Sequence, residues 1–401
     1  MEATRWRRTV AKLWQKRLRL VGFGVVVGLL LLASAEAVCR IANVAPYTDW
    51  QIFRRSAYFP YFLHEWRPGH SSSFLGTDLA INRAGFIGRE YELAKPDGVV
   101  RTVLLGDSIA AGWKLDATDD IVSSVLEKRL SSRIPSEVLN LAVPGYDAFE
   151  SVVRLRRLGL QYAPDVVVYV FCLNDLREAR IPEAQFTNGW KNPPSRLALS
   201  RYLPEVRRRV LNEGPAFQPE GPAAQVARRQ RSFERYADLI RQNVHGSELP
   251  TIDDRQLLRL MDQHEEAVEQ EAAHHGSTSP WMPWIFDFHT DARVRYFKLA
   301  LSELARLSQE GHFKVVVVFT PLLKEGDPEV DRVVSRSASI LKHLAETRGF
   351  TFLDVTEPFR AAGLEALQVT FPGDDTDTIH PNARGHELMA AAISDAMGMS
   401  H

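Results

Sequence analysis

The sequence predicts an α/β protein with a parallel sheet covered by helices on both faces. Three observations predict it. Short apolar β runs alternate with segments of helical periodicity over most of residues 101–398. Two of those runs, Asp165–Phe171 (DVVVYVF) and Lys314–Thr320 (KVVVVFT), are apolar at successive positions, as strands buried on both faces are. The segments between runs are long enough for right-handed crossovers, which place parallel strands side by side.

The elements follow in order. Thr102–Leu105 is a short β run that ends in Gly-Asp-Ser, and Asp119–Ser132 is a helix with acidic residues at its start. Glu137–Val143 is a second β run, Phe149–Tyr162 has helical spacing, and Asp165–Phe171 is the third strand. The alternation resumes with a helix at Asp291–Glu310, the strand Lys314–Thr320 ended by Pro321, and a helix at Pro328–Arg348 stopped by Gly349. Phe350–Val355 is the last strand and Asn382–Met397 the last helix. Between the third strand and Asp291 lies a long interruption, read as a helical insertion at about 176–290 within one domain spanning 101–398. It opens with Arg207, Arg208, Arg209, Arg228, Arg229, Arg231 and Arg235, and continues with the acidic stretch Asp253–His275 over a stripe of Leu257, Leu258, Met261 and Val268. Residues 41–100 are weakly periodic and read as an irregular, membrane-proximal segment.

The 401 residues are 45% hydrophobic and 25% charged, which excludes a disordered or collagen-like chain, and two cysteines exclude a disulfide scaffold. A formal net charge of -1 gives no electrostatic footprint for nucleic acid. The charge is uneven, however. Residues 1–19 carry Arg5, Arg7, Arg8, Lys12, Lys16, Arg17 and Arg19 against Glu2, and Leu20–Ala35 carries no charge. Extended through Glu36 to Cys39, that apolar run reaches the length of a transmembrane helix. The expected layout is a basic cytoplasmic leader (1–19), a transmembrane signal anchor (20–39) and an exported remainder, periplasmic or extracellular by the positive-inside rule. A cleaved signal peptide is the competing reading, since Ala33-Ser34-Ala35 and Ala35-Glu36-Ala37 fit the small-residue cleavage pattern. Gly24 and Gly28 are spaced as a small-residue pair, but glycine is common in such helices.

Three strand ends and one late loop supply complementary groups. Gly106-Asp107-Ser108 places a hydroxyl on a strand-to-helix turn, where backbone N–H groups of a following helix converge. Asn140–Gly145 ends in a glycine whose bare backbone N–H can approach a ligand. Asn174, after the third strand, offers a side-chain amide. Asp377 and His380 share one face if the chain there is helical, so that the carboxylate accepts from Nδ1–H and leaves Nε2 as general base for the Ser108 hydroxyl. The Ser108 N–H, the Gly145 N–H and the Asn174 amide form a candidate oxyanion hole. Each piece alone is weak; the four in order, at strand ends of one alternation, are not.

This arrangement resembles the SGNH (GDSL-type) hydrolase family over about 101–175 and 312–397. The resemblance implies a flavodoxin-like three-layer fold and ester hydrolysis. It also implies Ser108 as nucleophile and oxyanion donor, Gly145 and Asn174 as the other donors, and His380 and Asp377 completing the triad. Ala110 and Cys172 stand where the family often has Ser or Thr and Gly, which bears on the shape of the acyl pocket. Ile81–Phe86 is similar to a segment of membrane-anchored bacterial members.

The other candidates are weaker. His264, His274 and His275 with Glu265 and Glu266 suggest a metal, but Val268 stands where a zinc-protease spacing needs a second histidine, and a solvated helix face is favoured. Trp281, Trp284, Phe286 and Phe288 suit packing as well as sugar stacking. The expectation is thus a single-pass exported serine esterase acting on a small acyl ester, with an O-acetyl group on an envelope glycan as candidate substrate. It needs no metal or organic cofactor, and its partners are that ester and the membrane. Two rivals stay open: an envelope polysaccharide O-acyltransferase using the same triad, and a non-catalytic envelope-binding protein on a hydrolase fold.

Overall fold

The computed structural model describes residues 2–41, 52–55, 64–74, 77–115, 117–176, 291–370 and 377–398. The first of these forms one helix, α1 (Glu2–Ile41). Its stretch Lys16–Ile41 is long and apolar enough to cross a membrane, by length and composition. At 1.5 Å per residue that stretch rises about 39 Å, more than the ~30 Å hydrocarbon core. Glu36, the acid inside the apolar run, accepts from Arg40 Nε one turn later at 2.6 Å.

Two short hairpins precede the main sheet. β1 (Phe53–Arg55) pairs antiparallel with β2 (His64–Trp66), and β3 (Ser71–Phe74) with β4 (Thr77–Ala80). Five parallel strands follow: β5 (Val100–Gly106), β6 (Ser136–Asn140), β7 (Val166–Phe171), β8 (Lys314–Phe319) and β9 (Thr351–Asp354). Their order across the sheet is β6-β5-β7-β8-β9. The first strand of the sheet lies between the second and the third, which is the flavodoxin-like order. The winding reverses between β5 and β7, the switch point beyond whose carboxyl strand ends ligands bind in sheets of this kind.

Strand side chains alternate between two cores. Leu104, Val138, Val168 and Val318 pack with Leu126 and Leu130 of α2 (Val122–Ser131), Phe359 of α6 (Thr356–Ala362), and Met389 and Ile393 of α7 (Ala383–Ala396). Val103, Leu139, Tyr169 and Val317 face the other way. They pack with Val152 of α3 (Ala148–Arg154), Leu304 of α4 (Asp291–Gly311), and Val334 and Leu341 of α5 (Pro328–Glu346). The apolar runs in the sequence are continuous because each strand serves both cores.

Two expectations are corrected. The helix read over Phe149–Tyr162 is α-helical only to Arg154, then widens into a π-helical turn (Leu155–Gly159) and a 3₁₀ turn (Leu160–Tyr162). The cause is close packing: a Cβ on Gly159 would approach Leu141 Cδ2 and Leu155 Cδ1 to 2.9 Å, so bare backbone lies against the sheet there. The start of α3 is fixed by a reciprocal cap, in which Asp147 Oδ1 accepts from the Glu150 N–H and Glu150 Oε2 from the Asp147 N–H.

Residues 41–100, read as irregular, contain the two hairpins, and Ile52, Phe53, Trp66, Ile81 and Ile87 belong to the same core as Leu104. The packed unit therefore begins ahead of residue 101. Trp66 Nε1–H donates to Ala142 O at 2.8 Å, and His64 Nε2–H to Pro144 O at 2.9 Å. The Tyr146 hydroxyl donates to His64 O at 2.6 Å, and Arg154 bridges Leu141 O (2.8 Å) and Gly85 O (2.6 Å). Strands of three or four residues are too short to show the alternation that would have revealed them. The insertion read at about 176–290, with its arginines, histidines and aromatic cluster, lies outside the described residues from 177 to 290.

Gly106 closes β5 at φ +146°, and a Cβ there would stand 2.8 Å from Val170 O and 2.9 Å from Ala110 Cβ. Gly106→Ala is therefore expected to cost at least about 2 kcal/mol, read as a lower urea midpoint with an unchanged slope.

Candidate functional site

β5 delivers Asp107 and Ser108 at the carboxyl edge, beside the switch point of the sheet. The segment 107–114 is not the expected helix but a chain of tight turns, closed by Ala111 N–H to Asp107 O and Trp113 N–H to Ser108 O, both 3.0 Å. The first α-helix after β5 is α2, which follows a short 3₁₀ turn at Thr118–Asp120. Asp107 is fully buried, and its Oδ1 accepts from the Ile109 N–H at 2.9 Å. Asn140, at the end of β6, ties this turn to the next loop: its Nδ2 donates to Ala110 O (2.8 Å) and its Oδ1 accepts from the Ala142 N–H (3.0 Å).

The late loop arrives from the other side. Its backbone is pinned by Leu323 N–H to Thr378 O (2.7 Å), Val369 N–H to His380 O (3.1 Å) and Asn382 N–H to Leu367 O (2.7 Å). Asn382 then caps α7 through Gly385 N–H. Asp377 and His380 are not on a helical turn, which corrects the expected geometry. Asp377 Oδ1 instead accepts from the backbone N–H groups of Ile379 (3.1 Å) and His380 (3.0 Å), and this side-chain turn folds the three-residue spacing back on itself.

The loop brings Asp377, His380 and Ser108 into one hydrogen-bonded row. His380 Nδ1 lies 2.9 Å from each Asp377 carboxylate oxygen, and His380 Nε2 lies 2.9 Å from Ser108 Oγ. Asp107 Oδ2 is the longer alternative acceptor for the Ser108 hydroxyl, at 3.3 Å. With Nδ1–H donated to the carboxylate, Nε2 carries the lone pair that can take the serine proton. Burial by itself would raise the Asp377 carboxyl. The hydrogen bonds and charge of His380 and the Lys114 ammonium outweigh it and hold the group well below the usual carboxylate range.

Gly145 lies in the loop after β6 with φ +81°, a conformation that favours glycine. Asn174 lies in the short turn Leu173–Leu176 that follows β7, and its side chain is outside the described ones. That turn is held by buried Asp175, whose Oδ2 accepts from the Tyr169 hydroxyl (2.8 Å) and the Cys172 N–H (3.0 Å). Burial, with the charge of Asp107, pushes the Asp175 carboxyl well above its ordinary value. The expected donors Ser108, Gly145 and Asn174 thus follow three adjacent strands at one edge of the sheet.

Two neighbours of the row were not foreseen. Lys114 Nζ donates to Asp377 Oδ2 at 2.8 Å, and the Trp113 ring stacks on the His380 imidazole at 5.8 Å between centroids. Nothing in the spacing of Ser108 to Lys114 marks them, because their role depends on a loop 263 residues away. Among the described residues, no group of three or more His, Cys, Asp or Glu could hold a metal ion.

Residues 104–292 match the model of the GDSL-like lipase/acylhydrolase family. The match contains Ser108, Gly145 and Asn174, while Asp377 and His380 lie beyond its end. Among solved structures, an acetylxylan esterase from Geobacillus stearothermophilus, as a catalytic mutant, is 13% identical with a TM-score of 0.38, covering 75% of this chain and 94% of that one. An alpha/beta hydrolase enzyme from the metagenome of Lake Arreo is 15% identical with a TM-score of 0.38, covering 75% and 95%. No curated protein matches the sequence. The parallel sheet and the family match define an ester-bond hydrolase. Residues 104–292 are thus similar to the GDSL-like lipase/acylhydrolase family.

Two buried histidines flank the site. Burial, together with the charge of Arg154 and against the Pro144 carbonyl, lowers His64 to about 4. Burial and the charge of His380 lower His386 to about 3. Both are neutral in the fold and take up protons near pH 6.5 when unfolded. Stability is therefore complete above about pH 6.5 and falls as pH drops toward 4, with a slope approaching ~1.4 kcal/mol per pH unit for each histidine. His386→Asn, which keeps an acceptor for the Val122 N–H, is expected to flatten the urea midpoint between pH 7 and 5. A wild-type midpoint that is level over that range would contradict the assignment.

Proposed function

We propose that the chain is a membrane-anchored, exported serine esterase that releases a small acyl group, with an O-acetyl ester on an envelope glycan as its substrate class. The observation that carries this reading is the row from Asp377 through His380 to Ser108, closed at 2.9 Å on both sides of the imidazole. Ser108 Oγ attacks the ester carbonyl as its proton passes to His380 Nε2, and Asp377 stabilises the imidazolium that forms. The tetrahedral oxyanion is received by the N–H groups of Ser108 and Gly145 and by the Asn174 amide. Each such donor contributes about 3–4 kcal/mol to the transition state. Collapse expels the alcohol, which takes the proton from Nε2. A water activated by the same nitrogen then hydrolyses the acyl-Ser108 ester.

In this reading residues 1–19 stay in the cytoplasm, 20–39 anchor the chain, and 40–100 lead into the hydrolase domain, which runs to 398 around the insertion at about 176–290. The apolar stretch of α1 and the arginines in the first half of the same helix support the anchor.

Ser108→Ala is expected to lower hydrolysis of a short-chain nitrophenyl ester by roughly 10⁴-fold or more while leaving the circular dichroism spectrum unchanged. Activity retained in that variant would overturn the proposal.

A further inference from the structure

The turn after Ser108 does more than carry the hydroxyl. Trp113 lies almost parallel to the His380 ring, 23° between planes, and covers one of its faces. The next residue, Lys114, reaches the carboxylate that the ring leans on. Its side chain is 8% exposed, that of Asp377 is 6% exposed, and Nζ meets Oδ2 at 2.8 Å. Lys114 adopts φ +64°, in the left-handed region that side-chain-bearing residues avoid. A long side chain held there persists only where its surroundings over-determine it, and such outliers gather at working sites.

A hydroxyl, an imidazole and a carboxylate suffice for acyl transfer, and the row does not require a cation on the carboxylate. The cation has two consequences. It fixes Oδ2, so the carboxylate cannot turn away from Nδ1. It also sets a positive charge across the carboxylate from the imidazole, where like charge disfavours the imidazolium.

We propose that Lys114, with Trp113 over the ring, is a positioning residue that clamps the Asp377–His380 pair in the arrangement that accepts the Ser108 proton. The proposal rests on the esterase reading above. Among the described residues, the other titratable groups near the pair are Asp107, on the turn that carries Lys114, and His386 of α7, whose Nδ1 accepts from the Val122 N–H at 3.0 Å. Leu323 and Val369, which pair with the backbone of the late loop, bring uncharged side chains. Lys114 is thus the cation that acts on Asp377 together with His380 among the described residues.

The test is the pH dependence of kcat/KM for a short nitrophenyl ester, measured on the full chain in detergent. Lys114→Met should move the acid limb to higher pH by roughly half to one unit, since removing the ammonium lets the imidazole protonate earlier. Its kcat should fall on the order of tenfold with little change in KM, as expected for a misplaced base. Lys114→Arg keeps the charge and should keep the acid limb of the wild type. Lys114→Gln is uncharged like the methionine variant and carries the same expectation should that variant fail to fold. An acid limb that superimposes on the wild type in a folded, uncharged variant would overturn the clamp. A wild-type enzyme inactive across short-chain esters would instead overturn the esterase reading itself.

Discussion

The site depends on one imidazole held between two partners that come from opposite ends of the domain. Ser108 and His380 are 272 residues apart in sequence and meet at 2.9 Å. An isolated hydroxyl is a poor nucleophile near neutral pH, and an unanchored imidazole points in many directions. Only the simultaneous contact of Nδ1 with Asp377 and of Nε2 with Ser108 gives the ring one orientation and one proton-accepting nitrogen. The sheet order, the pinned late loop and the buried carboxylates all serve to keep that contact.

The sheet does this through its winding. Since β5 lies between β6 and β7, the loops bearing Ser108, Gly145 and Asn174 leave the same edge on neighbouring strands. Asn140 bonds the first of these loops to the second. The segment ahead of the sheet holds the second loop from outside, through Trp66 on Ala142 O and His64 on Pro144 O. Asp175, its carboxyl pushed upward by burial and by its neighbour Asp107, fastens the third. Side-chain hydrogen bonds of this kind stabilise by only about 1 kcal/mol each, so the precision of the site comes from their number and their burial.

Much of this was legible in the sequence. The double-faced strands announced themselves because Val166–Phe171 and Val315–Phe319 are apolar at every position, and the chemistry-bearing residues stand where such strands end. What was not legible has specific causes. The hairpins at Phe53–Trp66 and Ser71–Ala80 are too short for a period of two to emerge. The Asp377–His380 pair keeps its spacing but reaches it through a side-chain turn, because Asp377 Oδ1 captures two backbone N–H groups that a helix would have used otherwise. Lys114 was invisible, since an ion pair with a distant loop leaves no periodicity behind.

The central claim is that Ser108 is the hydroxyl the imidazole activates. Peptide mapping after exposure to a fluorophosphonate tests it most directly. The account predicts one phosphonylated residue, Ser108, and a labelling rate that collapses when His380 is replaced by alanine. Label on another residue, or undiminished labelling of Ser108 without the imidazole, would contradict it.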